Sequence, residues 1–315
     1  MNTKIKKLKK ELAKAVVGQE QMIEGLLIGL LSDGHILVEG VPGLAKTTTI
    51  NALSRALGLA FKRIQFTPDL LPSDIIGAQI YDPQTNTFKI KKGPLFTNLL
   101  LADEINRAPS KVQSALLEVM QERQVTIGDE TFDIEPPFLV MATQNPIEQE
   151  GVYNLPEAQL DRFMMKLVVE HNSDEEELEI MRKAATKSFG EVRTVLSLED
   201  LHTIKNELEK IHIDPELERY IIQLVSATRN PSRFGLESLE ESLMFGASPR
   251  ASIDLYKASK AKAFLRGNDY VTPADIGFVI HDVLRHRIVL SYEARAKGIS
   301  SDEIISTIVK TLPIP

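Results

Sequence analysis

"HILVEGVPGLAKTTTI", residues 35–50, is the stretch from which the fold can be read. An apolar run ends in Gly40, a short turn follows, and Lys46 and Thr47 open what reads as a helix. A phosphate-cradling loop has the form G-x-x-x-x-G-K-[ST]. Gly40, Lys46 and Thr47 fit it, while Ala45 stands where the second glycine is usual. Backbone amides at a helix start bind phosphate oxygens through their direction and the helix dipole. Lysine at this place reaches the β- and γ-phosphates, and the threonine offers its hydroxyl to Mg²⁺. Ala45 adds one methyl group and fits if its φ is negative and its side chain is clear of the phosphate. The bland alternative is a glycine turn between a strand and a helix.

Working outward, apolar runs alternate with helical patterns. "HILVEG" reads as a strand and "KTTTINALSRALG" as a helix closed by Gly58. "FKRIQF", "TNLLLADE", "FLVMATQN" and "MMKLVV" supply four more strands, with a helix over "APSKVQSALLEVMQER". Strands alternating with helices imply a parallel sheet covered on both faces. Two segments break the rhythm as hairpins: Gly77 to Gly93, and Gln124 to Ile134 around Gly128-Asp129. Past about His171 the strands are expected to stop. Capped amphipathic helices follow, opening at "SDEEELEIMRKA", "DPELERY", "SPRASID" and "TPADIGF". The expected division is an α/β domain over 1–171 and a helical domain over 172–315, with a linker at about 172–213. The acidic run "DEEELE" reads as a solvated helix start.

"LLLADE" ends an apolar strand in two carboxylates, Asp103 and Glu104. A buried parallel strand delivers its C-terminal residues to the crevice where ligands bind. There Asp103 would hold the Mg²⁺ shell, and Glu104 would orient or deprotonate an attacking water. A phosphate loop and an acidic strand end together say more than either alone. Asn145 ends the next apolar strand, placed to bond a γ-phosphate or the water; in isolation it reads equally as a turn asparagine before Pro146. Arg162 sits in "EAQLDRF", where a surface arginine or a pair with Asp161 is the plain alternative. Arg250 opens a helix in the second half. A cation is unfavourable at a helix N-terminus, so its position calls for an anion nearby.

Bulk properties agree with a folded enzyme. The 315 residues are 43% hydrophobic and 26% charged, with net charge −7, which gives no general pull toward nucleic acid or anionic membranes. There is no cysteine, so disulfides and thiolate metal sites are excluded. The six histidines lack metal spacing; His281 and His286 are five apart, off the step that shares one helix face. No apolar run reaches membrane-span length, and the lysine-rich start lacks a signal peptide's apolar stretch. A cytoplasmic location is the expectation. The lysines between Lys4 and Lys10 read as the wet face of a helix whose apolar side is Ile5, Leu8 and Leu12.

Six motifs in order carry a resemblance over nearly the whole chain: Val17-Gly18-Gln19, "GVPGLAKT", "LLLADEINR", "ATQNP", "LPEAQLDRF" and "GASPRA". The sequence resembles an AAA+ ATPase, and more narrowly the MoxR family, whose phosphate loop also usually carries alanine at the position of Ala45. The resemblance implies an AAA+ core with inserted hairpins, followed by a helical lid, binding ATP or ADP with Mg²⁺. It implies nucleotide contacts from Val17, Gly18, Gln19, Gly40, Pro42, Gly43, Leu44, Ala45, Lys46, Thr47, Thr48 and Asp103, with Thr47 and Asp103 at the metal. It implies Glu104 as catalytic base, Asn145 as sensor 1, Arg162 as a finger acting on the neighbouring subunit's nucleotide, and Arg250 as sensor 2 in its own subunit. A polar switch residue restraining Glu104 falls to Gln65 or Thr67. A homo-oligomeric, hexameric ring is implied, remodelling protein complexes, with a von Willebrand factor A domain protein as partner.

Rival readings are a DNA-associated AAA+ motor or loader, a scaffold that binds ATP without hydrolysing it, and a P-loop kinase. Hairpin residues Lys89, Lys91 and Lys92 suggest the first; the acidic total opposes it. Glu104 and Arg162 oppose the second. The arginine helix of the second half fits the third poorly.

Overall fold

The structure, a computed structural model, describes residues 3–146 and 151–315. Helices α1 (Thr3–Leu12) and α2 (Glu20–Leu31) lead into β1 (Ile36–Glu39), α3 (Lys46–Leu57), β2 (Phe61–Gln65) and α4 (Pro72–Ile76). The hairpin β3 (Gly77–Asp82) and β4 (Thr87–Lys92) precedes β5 (Leu99–Asp103) and α5 (Ser110–Glu122). A second hairpin, β6 (Gln124–Ile127) and β7 (Glu130–Asp133), leads to β8 (Leu139–Gln144), α6 (Glu157–Leu160) and β9 (Met165–Val168). Then come α7 (Asp174–Thr186), α8 (Leu198–Glu209), α9 (Pro215–Arg229), β10 (Leu243–Phe245), α10 (Pro249–Arg266) and α11 (Pro273–Leu284). The last elements are β11 (Val289–Leu290), α12 (Tyr292–Ala296) and α13 (Ser301–Thr311).

The main sheet is all parallel, in the order β2-β5-β8-β1-β9. Its inner strands β5, β8 and β1 are apolar on both faces because both faces are covered, whereas the edge strand β2 exposes Lys62, Arg63 and Gln65. Ile36, Val38, Leu99, Leu101, Leu139 and Met141 point to one core, and Leu37, Leu100, Ala102, Val140 and Ala142 to the other. Each fully buried leucine contributes about 1.5–3 kcal/mol relative to exposure. The first core runs without a break from Ile5 on α1 to Leu312, taking in α8–α11 and α13, so the helical half shares it with the sheet. The second is closed by α5 and the base of the β6–β7 hairpin.

One expectation is corrected. Strands do not stop at His171, since β10 and β11 pair antiparallel, and a bridge joins His212 to Tyr270. Runs of two or three residues carry too little alternation to be read. The linker expected at about 172–213 carries α7 and α8. Leu201, Ile204 and Leu208 of α8 are buried in the shared core, although α7 buries no residue. Tyr81 and Phe88 pack against each other on the β3–β4 hairpin, with Phe88 68% exposed.

Candidate active site

The C-terminal ends of β1, β8 and β5 open side by side onto one cleft of about 360 Å³. It is lined by Pro42, Gly43, Ala45, Lys46, Thr47 and Thr48 from the loop after β1, and by Asp103, Glu104 and Asn145 from the other two strands. Thus the loop, the acidic pair and the asparagine meet, as expected. Gly43 has φ 90, and a Cβ there would meet nothing within 4 Å, so its glycine serves conformation rather than close packing. Gly40 serves packing: a Cβ would lie 2.9 Å from the Val169 carbonyl. Leu44 anchors the loop by burying its side chain in the first core.

Ala45 departs from expectation. It lies in the left-handed region, at φ 54 and ψ 17, not at negative φ. The turn into α3 needs that conformation whichever residue occupies it, and alanine bears a strain of about 1–2 kcal/mol there. The Ala45 carbonyl accepts from both the amide and hydroxyl of Thr49. No side chain caps the start of α3 and no acidic residue lies in its first turn. Its leading amides and dipole are thereby left for an anionic ligand.

Lys46 Nζ donates to the Gly40 carbonyl at 2.6 Å. Burial lowers its pKa, and the charges of Asp103 and Glu104 oppose that shift. Asp103 accepts from the Thr143 hydroxyl at 2.6 Å and pairs with Arg63. Glu104, at φ 56, takes its amide hydrogen bond to the same Thr143 hydroxyl. Its carboxylate accepts from Gln65 Nε2 at 2.7 Å and Arg107 at 3.0 Å. Of the two switch candidates, Gln65 contacts Glu104, while the Thr67 hydroxyl engages Asp69. Asn145 is buried and also lines an adjoining cleft with Glu39, Asn106 and Asn154.

Arg63 and Thr143 escaped the sequence reading. Arg63 and Gln65 share one face of β2 by the two-residue strand period, and that face turns to the cleft. Thr143 sits inside an apolar run and looks like filler. Among the described residues no cluster of three His, Asp, Glu or Cys forms a metal cage. That suits Mg²⁺, which is usually held by one or two carboxylates plus substrate phosphates. Thr47 and Asp103 fit that role, Asp103 being the carboxylate already steadied by Thr143.

Val17, Gly18 and Gln19 form a tight turn before α2. Gly18 has φ 68, and a Cβ on it would come within 2.3 Å of Asn172 Nδ2. Asn172 donates to the Val17 carbonyl and the Glu176 carboxylate, and accepts from Gln19 Nε2 at 2.9 Å. The capping box of α7 therefore locks this turn to the second half of the chain.

Arg162 and Arg250 do not line the phosphate-loop cleft. Together they line another, of about 210 Å³, with Met120, Gln121, Ile253 and Asp254. Asp161 pairs with Arg287 and Arg250 rather than with Arg162. Asp161, 3.5 Å from Arg250, is the anion that the helix N-terminus called for. The cleft shared with Arg162 sets Arg250 apart from the phosphate loop of its own chain.

Comparison with known proteins places the chain in a family. The model of the ATPase family associated with various cellular activities matches residues 35–165, and an AAA lid domain model matches 238–308. The chain is 50% identical over 305 residues to Chaperone MoxR1 of Mycobacterium tuberculosis, covering 97% of this chain and 81% of that protein. The chain belongs to the MoxR family of AAA+ ATPases. Protein MoxR of Methylorubrum extorquens is 32% identical, with 98% of this chain and 94% of that one covered. A crystal structure from Cytophaga hutchinsonii matches with TM-score 0.94 and 54% identity, over 99% of this chain and 95% of that one. This MoxR-family member is thus an ATPase with an α/β core and a helical lid, and none of its described helices is long and apolar enough to cross a membrane.

Proposed function

We propose that this ATPase works as a cytoplasmic homo-oligomeric ring, hexameric as the family resemblance implies, that hydrolyses Mg·ATP at the junction of two subunits and uses the cycle to remodel protein complexes. The observation that carries this reading is the separation of the two clefts: one holds the phosphate loop, the other the paired Arg162 and Arg250. An arginine pair outside its own nucleotide cleft is suited to a neighbour's. In this reading Lys46 and the α3 amides bind the phosphates, and Thr47 with Asp103 holds Mg²⁺, which neutralises phosphate charge. Glu104 orients and deprotonates the attacking water, Asn145 orients it from the other side, and both arginines stabilise the charge of the transition state. Gln65 is the switch, holding Glu104 aside until the site is complete. The α/β domain spans 1–171 and the helical part 172–315.

Remodelling rests on the name of the mycobacterial relative, a chaperone. A von Willebrand factor A domain partner belongs to the same reading. A DNA role is disfavoured because Lys89 pairs with Asp82, and Lys92 lies over the rings of Phe96 and Phe132. Mixing two inactive variants tests the shared site. Lys46→Ala lacks the phosphate grip and Arg162→Ala lacks the finger, but mixed rings contain junctions where both are present. Turnover should reappear on mixing. Mixed rings, verified by tag co-purification, that stay inactive would refute the shared site.

A further inference from the structure

Arg287 lies outside the machinery described so far, and none of the six motifs includes it. It follows α11 in the helical half, and its side chain is 1% exposed. A buried arginine with no ligand of its own needs a reason, because desolvating a guanidinium is costly unless every donor is matched. Here every donor is matched. Nε donates to Asp161 Oδ1 at 2.8 Å, and Nη2 to Asp254 Oδ2 at 2.5 Å. The remaining bonds go to backbone carbonyls: Asp161 at 3.2 Å, Phe163 at 2.8 Å, Met164 at 3.1 Å and Val283 at 2.8 Å.

The acceptors share a pattern. Asp161, Phe163 and Met164 flank Arg162 on both sides, so the guanidinium grips the backbone that carries the finger. Asp254 lies one turn beyond Arg250 on α10. Asp161 in turn accepts from the Ser248 hydroxyl at 3.0 Å and faces Arg250. A planar fork can tie several oxygens in fixed directions, which the point charge of a lysine cannot. The grip joins a short loop after a four-residue helix to the buried core of the helical half.

We propose that Arg287 is a positioning residue for catalysis: it fixes the Arg162 backbone so that the finger meets a neighbour's nucleotide at a set distance. This rests on the reading of Arg162 as a finger. The physical need is clear, since a displacement of about 1 Å at a catalytic group costs on the order of 100-fold in rate. A long side chain on an unbraced loop would wander by more.

The test uses full-length protein and steady-state ATP turnover. Arg287→Lys keeps the charge and loses the fork. It should lower kcat about 10- to 100-fold, leaving KM for ATP and the Kd of a fluorescent ATP analogue within about twofold, because the phosphate-loop cleft is untouched. The decisive arm is Arg287→Lys in the Arg162→Ala background, where the further loss should shrink to under about threefold, as expected for residues acting as one unit. Losses that multiply, or an Arg287→Lys variant with normal kcat, would overturn the proposal and leave the finger intact. An Arg162→Ala variant with normal turnover would instead remove the finger reading and the proposal with it. Should Arg287→Lys fail to fold, Asp254→Asn loosens one tie with little change of shape. The same non-multiplying pattern with Arg162→Ala supports the proposal, and multiplying losses overturn it.

Discussion

Glu104 and Ala45 both adopt left-handed backbone conformations without being glycine. Such residues persist only where surrounding structure holds them, and they cluster at functional sites. For Glu104 the restraints are Thr143 on the amide and Gln65 and Arg107 on the carboxylate. A hydrogen bond to a charged group contributes about 1.5–3 kcal/mol. If Gln65 holds Glu104 aside, Gln65→Ala should raise basal turnover by up to about tenfold, while Thr67→Ala should change it little. Unchanged or lower turnover in Gln65→Ala, with ATP binding retained, would remove the switch assignment. At this scale the sequence was legible where chemistry forces a residue type, as at Lys46, Thr47, Asp103 and Glu104. It was illegible where roles depend on neighbours: Arg63 and Thr143 matter through contacts across the sheet, and the φ of Ala45 follows from the turn, not from alanine.

At the scale of elements, periodicity located the five strands of the main sheet, both hairpins and the capped helices. It failed for β10 and β11, too short to alternate, and it passed over α8 and α13 although each opens with a capping box. How the elements are stapled was also invisible. His35, at the start of β1, accepts the Val140 amide on Nδ1 and donates from Nε2 to the Met120 carbonyl, joining β1, β8 and α5. Burial, aided by the charge of Arg123, pushes its pKa down to about 3. The folded ring therefore stays neutral where the unfolded one, with an ordinary pKa near 6.5, takes up a proton. This stability is fully present above about pH 6.5 and lost as pH falls toward 3, at up to about 1.4 kcal/mol per pH unit. His286, buried against Phe163 with its pKa also lowered by burial, acts in the same direction. Urea midpoints should drop between pH 7.5 and 5.5, and His35→Gln should make that drop shallower. An equal drop in the variant would show that His35 does not carry its share.

The whole molecule sets how the cycle can transmit motion. One continuous core joins the sheet to the helical half, and half-buried ion pairs from Lys262 to Glu24 and from Arg287 to Asp161 cross the same boundary. Wide closure of the helical half over its own nucleotide would break these contacts, so a hinge driven by Arg250 within one subunit fits this packing poorly. Movement between rigid subunits, with two arginines of one reaching the nucleotide of the next, keeps them intact. On the proposed shared-site reading, a monomer has no complete site. Where measured in GTPases, a missing finger costs about 10³–10⁵ in rate, equivalent to about 4–7 kcal/mol of barrier. Specific ATP turnover should therefore fall steeply as the protein is diluted through its assembly range, tracking the oligomer fraction seen by sedimentation at the same concentrations. Lys46→Ala should assemble poorly if nucleotide bridges the subunits, because the bridge is what it fails to hold. A sedimentation-proven monomer with the turnover of the assembled form would place every catalytic group within one chain and end the shared-site account.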